Sequence, residues 1–122
     1  MVERLQDVRA PTSSSVVHGD FYVRHLLVDK KHHLTGVIDW GDMHLGDPAA
    51  DLSIAHSFLP LRSHDAFRDA YGWISKDTWE LALLRAMYSS TSFALYGYHS
   101  GDHLLKRESL RSLQIIKDGA YL

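Results

Sequence analysis

The sequence predicts an α+β domain, mainly helical, with a short β-hairpin near its start. Three observations lead there. Two β-prone runs, His25 to Asp29 and Leu34 to Asp39, flank a polar turn at 30–33. Gly41, Gly46 and Pro48 then punctuate an irregular segment. From residue 49 onward, apolar residues recur at helical spacing.

Taken in order, residues 1–8 read as a short helix, and 11–15 form a polar connector. Val16-Val17 is a short β-prone run that leads into His18-Gly19-Asp20. A two-stranded hairpin returns the chain to the end it left, so Asp39 is expected close to the loop that holds Asp20 and His25. Residues 49–58 resume as a helix with Leu52, Ile54 and Ala55 turned inward. Asp77 and Glu80 have the spacing of a capping box and open a helix that runs towards Gly97. A last helix over 102–117 places Leu104, Leu105, Leu110, Leu113 and Ile116 on its apolar stripe. Trp73, Trp79 and the tyrosines from Tyr88 to Tyr98 are read as core, with a role in lining an acceptor pocket as the alternative.

Composition narrows the function. With 122 residues, 45% hydrophobic and 23% charged, the chain is one domain's worth and shows no bias towards disorder. A formal net charge of -2 argues against a nucleic-acid footprint or a polybasic membrane patch. No segment approaches the length of a membrane span. The lack of cysteine excludes disulfides, thiol nucleophiles and cysteine-based zinc sites, and it fits a reducing, cytoplasmic setting. Nine histidines, including the pair His32-His33, raise a metal-storage reading. Their scatter speaks against it, and His44, His56, His64, His99 and His103 are read as surface or internally satisfied residues.

The chemistry concentrates between His18 and Asp51. Asp20 is followed five residues later by His25, and the pattern resembles a kinase catalytic loop. In such a loop an aspartate accepts or orients the proton of the attacking hydroxyl, and a second residue helps to hold magnesium. Ile38-Asp39-Trp40-Gly41-Asp42 stands where the second kinase motif would be, which makes Asp39 the candidate ligand for the metal that bridges the nucleotide phosphates. Asp42 is either a metal-contacting or supporting carboxylate or a solvated loop charge. Asp47, before Pro48, and Asp51, at a helix start, are read as structural supports of the site.

In series, His18-Gly19-Asp20, Thr35 to Asp42, and Gly46-Asp47-Pro48-Ala49-Ala50-Asp51-Leu52 resemble the aminoglycoside phosphotransferase family, also called the phosphotransferase enzyme family. The resemblance implies a protein-kinase-like C-terminal lobe over 1–122, with the catalytic loop at 16–28, the metal-binding motif at 35–42 and a helical scaffold over 49–122. It also implies transfer of the terminal phosphoryl group of ATP or GTP to a hydroxyl of a small molecule, with Mg2+ or Mn2+. Asp20 would be the base, His25 and Asp39 the metal ligands, and His18 a structural residue of the loop. The family usually has asparagine where His25 stands and a small residue where Arg24 stands. A histidine there is similar to the macrolide phosphotransferases, and imidazole suits manganese better than magnesium.

The family's nucleotide-covering loop and phosphate-pairing lysine lie in an N-terminal lobe. Only 17 residues precede His18, so the expectation is a chain without that lobe, a fragment or a subunit beside a separate one. Its lobe-facing apolar surface would then favour an N-lobe partner or self-association. Two rival readings use the same residues. One is a non-catalytic, kinase-like binding module, and the other is a His/Asp metallohydrolase, which lacks a third clustered ligand.

Overall fold

A computed structural model describes residues 14–120. The expected helix over 1–8 lies outside the described residues. The fold is mainly helical with two small sheets, in line with the predicted class.

Strand β1 (Ser15–Val17) pairs antiparallel with β4 (His44–Gly46), so that Val17 stands opposite His44. Strands β2 (Leu26–Val28) and β3 (Leu34–Val37) form the expected hairpin, with an irregularity between Leu27 and Val28. Both hairpin strands are shorter than the sequence reading. His25 closes a 3-10 turn, Val23–His25, and Asp39 adopts a left-handed conformation with φ 64° ahead of a second turn, Trp40–Asp42. The loop at 30–33 is tied by Asp29, whose Oδ1 accepts from the backbone N–H groups of Lys31 and His33. Those bonds, the one from His33 foremost, hold the Asp29 carboxyl below its usual range.

Four helices follow: α1 (Ala49–Phe58), α2 (His64–Tyr71), α3 (Lys76–Ser100) and α4 (His103–Ala120). Helix α1 has the predicted bounds and buries Leu52, Ile54 and Ala55. It packs against α3 and α4, which also pack on each other. Ala49, Leu52, Ile74 and Ala82 form one core cluster, and Leu83, Ala86 and Ile116 form another. Alanines at these contacts let the backbones approach closely.

The start of α3 corrects the capping-box expectation. Ser75 is the cap, its Oγ accepting from the N–H of Thr78 at 3.0 Å, while Asp77 lies in the first turn. Serine caps as well as aspartate does, and here Ser75 takes the role. The helix also passes Gly97 and ends at Gly101, whose φ of 76° suits a glycine after the last turn. Of the stripe on α4, Leu105 and Ile116 are buried, whereas Leu104 and Leu110 face outward. The aromatic expectation fails at several positions. Trp73 is 87% exposed, and Tyr88, Tyr96 and Tyr98 are exposed too. Trp79 is half-buried against Phe67, His56 and His64, with the Arg68 guanidinium over its ring.

Gly97 is buried where α3 meets α4. A Cβ there would stand 2.7 Å from the Lys106 nitrogen and 3.0 Å from the Asp102 carbonyl oxygen. Both are backbone atoms that cannot rotate aside. Alanine gains about 1 kcal/mol of helix propensity, but overpacking costs about 1–3 kcal/mol. Gly97→Ala is therefore expected to lower the Tm by several degrees in a thermal melt. A rise in Tm would mean that the helices separate freely.

Candidate active site

Four segments converge on the loop at 18–25: the turn after β3, the start of α1, the middle of α3 and the start of α4. His18 is the junction. It is 3% exposed and packs against Trp40 with ring centroids 4.6 Å apart. Its Nε2 lies 2.8 Å from the Ile38 carbonyl oxygen, which can only accept, so the proton sits on Nε2. Its Nδ1 then accepts from the Asp20 N–H at 3.2 Å. One neutral ring thus joins the backbone of Asp20 to the residue before Asp39.

Asp51 fixes the same loop from α1. Its Oδ2 accepts from the His18 N–H at 2.6 Å and its Oδ1 from the Gly19 N–H at 3.1 Å. The contact spans 33 residues of sequence. Asp47 braces α1 itself, its Oδ1 accepting from the Ala49 N–H at 2.9 Å. Gly19 has a φ of 88°, and a Cβ on it would run into the Asp42 carbonyl. The two loops therefore touch where no side chain intervenes.

The hairpin brings the three sequence-derived candidates together. His25 Nδ1 lies 2.7 Å from the Asp20 carbonyl oxygen and 4.0 Å from Asp20 Oδ2. His25 Nε2 lies 3.2 Å from Asp39 Oδ2. Because the carbonyl must accept, the ring donates from Nδ1, and a neutral ring turns its Nε2 lone pair towards the Asp39 carboxylate. The ring nitrogen and the carboxylate oxygen, 3.2 Å apart, are placed to share one cation. His25 is almost buried, while the carboxylates of Asp20 and Asp39 reach solvent.

Asp42 stands apart. Its backbone carbonyl takes the Nδ1–H of His44 at 2.7 Å, and among the described residues no hydrogen bond or ion pair ties its carboxylate to His25 or Asp39. Nor, among the described residues, is there a group of three or more histidine, aspartate or glutamate side chains that would hold a metal unaided. The pair of His25 and Asp39 fits a metal that completes its shell with phosphate oxygens and water, the usual arrangement for magnesium at a nucleotide.

Beside Asp20 a cavity of about 260 Å3 opens between the loop and helices α1, α3 and α4. Tyr22 stacks on Phe93 at its wall, with centroids 5.0 Å apart. Burial, and after it the charge of Asp20, holds the Tyr22 phenol above its ordinary range, which keeps it a proton donor. Arg24 forks onto Asp102 with bonds of 3.0 and 2.9 Å, and Asp102 also caps α4 through the Leu105 N–H. That guanidinium holds the Asp102 carboxyl below its usual range. Sequence reasoning named Asp51 as a support of the site without its partners, and it missed this clamp and the Tyr22–Phe93 stack, because each joins residues far apart in the chain.

The profile of the phosphotransferase enzyme family matches residues 2–84. The chain belongs to that family. Its sequence is 31% identical over 94 residues to viomycin phosphotransferase of Streptomyces vinaceus, covering 74% of this chain and 32% of that protein. Over 45 residues it is 40% identical to the uncharacterized protein YcbJ of Bacillus subtilis (strain 168), covering 37% of this chain and 15% of that protein. Among solved structures, macrolide 2'-phosphotransferase type I superposes with a TM-score of 0.54 at 27% identity, covering 93% of this chain and 39% of that one. The chain thus spans about a third of these two phosphotransferases. The matched residues 2–84 include the stretch from His18 to Asp51.

No described helix is long and apolar enough to cross a membrane.

Proposed function

We propose that this chain is the catalytic, C-terminal lobe of a small-molecule phosphotransferase that uses ATP or GTP. The observation that carries the reading is the meeting of Asp20, His25 and Asp39 at one end of the β2–β3 hairpin. The segments divide as the motifs do, with the base loop at 16–28, the metal motif at 35–42 and the scaffold from 49 onward. As in the relatives named for viomycin and macrolides, the acceptor would be a small molecule, here offering a hydroxyl.

In this mechanism the acceptor lies in the cavity beside Asp20. Its oxygen attacks the terminal phosphorus as the bond from that phosphorus to the nucleoside diphosphate breaks. Asp20 takes the hydroxyl proton on its carboxylate. His18 and Asp51 hold the loop so that this carboxylate meets the incoming hydroxyl without rearrangement. Asp39 and His25 would hold Mg2+ or Mn2+, which when bound neutralises charge on the phosphate oxygens. The imidazole of His25 favours Mn2+.

The covering lobe would sit on the sheets. The cross-strand partners Val16 and Leu45, and Val28 and Leu34, expose apolar side chains there, a face that suits an N-lobe.

Calorimetry with ATP and GTP tests the reading. Binding is expected only with divalent metal, at least as strong with Mn2+ as with Mg2+, and lost in Asp39→Ala. No binding to the native chain under any of these conditions would favour a non-catalytic module.

A further inference from the structure

Within the cavity beside Asp20, the charges sort themselves in a way that bears on the acceptor. Four charged side chains line it: Asp20, Arg24, Arg85 and Glu108. Arg24 is held by Asp102 in the two-bond fork. Glu108 Oε2 faces the Arg111 guanidinium at 3.6 Å. Two charges have no oppositely charged Lys, Arg, Asp or Glu side chain paired with them among the described residues. One is Asp20, the proposed base. The other is Arg85, an exposed residue of α3 that forms no ion pair with a carboxylate among the described residues. A polycation would meet the Arg85 guanidinium, which no carboxylate among the described residues neutralises.

The polar wall has a chemical sense as well. Of the six serines that line the cavity, five donate their hydroxyl protons to carbonyls of their own helices: Ser53, Ser57, Ser89, Ser109 and Ser112. With the proton engaged, each presents oxygen lone pairs to the cavity. Such a wall receives O–H donors. The stacked rings of Tyr22 and Phe93 add an apolar platform of the kind that a sugar's C–H face covers. At about 260 Å3 the cavity lies below the roughly 300–1,000 Å3 of most ligand sites, a space for one ring.

We propose that the acceptor is a hydroxyl-rich, single-ring-sized compound that carries an anionic group, with Arg85 as the specificity-determining residue that receives the anion. This rests on the phosphotransferase reading for the word acceptor, but the binding preference does not depend on catalysis. A guanidinium meets a carboxylate or phosphate with two parallel hydrogen bonds, which a lysine cannot reproduce.

Titrations followed by NMR, with neither nucleotide nor metal, test the proposal on the chain itself. The probes are glucuronate, glucose and glucosamine at equal ionic strength. Glucuronate is expected to bind about tenfold more tightly than glucosamine and to shift the signals of Arg85, Ser89 and Phe93. In Arg85→Gln glucuronate falls to the level of glucose, and Arg85→Lys is intermediate. Glutamine and lysine are good helix formers, so an unchanged amide spectrum elsewhere certifies the fold. Asp20→Asn, which sharply lowers transfer, keeps the order of affinities, so failure of the phosphotransferase reading is told apart from failure of this one. Equal or tighter binding of glucosamine would overturn the proposal. So would a glucuronate preference that survives in Arg85→Gln, or the absence of shifts at the cavity with all three probes.

Discussion

Asp20→Asn is expected to lower phosphoryl transfer by about 10²–10⁴-fold, the usual worth of a positioned general base, while metal-dependent nucleotide binding stays close to native. The separation follows from which atoms of Asp20 hold the loop. Its N–H binds His18 and its carbonyl binds His25, so the backbone does the structural work. The carboxylate lies 4.0 Å from the His25 ring, beyond a hydrogen bond, and reaches solvent. Asparagine keeps the shape and loses only the proton acceptor. Release of labelled phosphate from γ-labelled ATP to water measures the transfer without requiring the natural acceptor. An Asn variant with native turnover would remove Asp20 from the chemistry.

Gly19→Ala is expected to be the most disruptive single methyl in the site. The residue sits at φ 88°, where a side chain costs about 1–2 kcal/mol, and the new Cβ would collide with the Asp42 carbonyl. The base loop must then lift away from the loop that carries Asp39. A displacement of about 1 Å at a reacting group costs on the order of 10²-fold in rate, so transfer falls by at least that much along with the Tm. Gly41 provides the control. It lies in the neighbouring turn, but no atom stands within 4 Å of a Cβ built on it. Gly41→Ala should leave both rate and Tm near native. Equal effects of the two substitutions would show that the contact between the loops has no special role.

The features legible in the sequence were local ones. The hairpin follows from two apolar runs around a polar turn, and the bounds of α1 follow from Pro48 and the apolar pattern after it. The meeting of Asp20, His25 and Asp39 could be inferred because a hairpin returns to its start. What escaped lies across long stretches of chain. Nothing in residues 15–17 says that they pair with 44–46, and nothing beside Arg24 points to Asp102, 78 positions later. Asp51 reads as a helix-start charge that supports the site, but the atoms it holds, the His18 and Gly19 N–H groups 33 and 32 positions earlier, were not legible. Trp73 shows the limit of residue type as a guide. A large aromatic predicts burial, yet it occupies the stretch between α2 and α3 where no helix packs over it.

The central claim is that His25 and Asp39 form one metal position that is completed by nucleotide phosphates. Paramagnetic broadening tests it most directly, with Mn2+ added in small amounts to the labelled chain in the presence of ATP. The account predicts saturable broadening centred on the signals of His25 and its neighbours Tyr22 and Leu26, abolished in Asp39→Ala. Broadening confined to the exposed turn at Asp29 and His33, with His25 untouched, would contradict it.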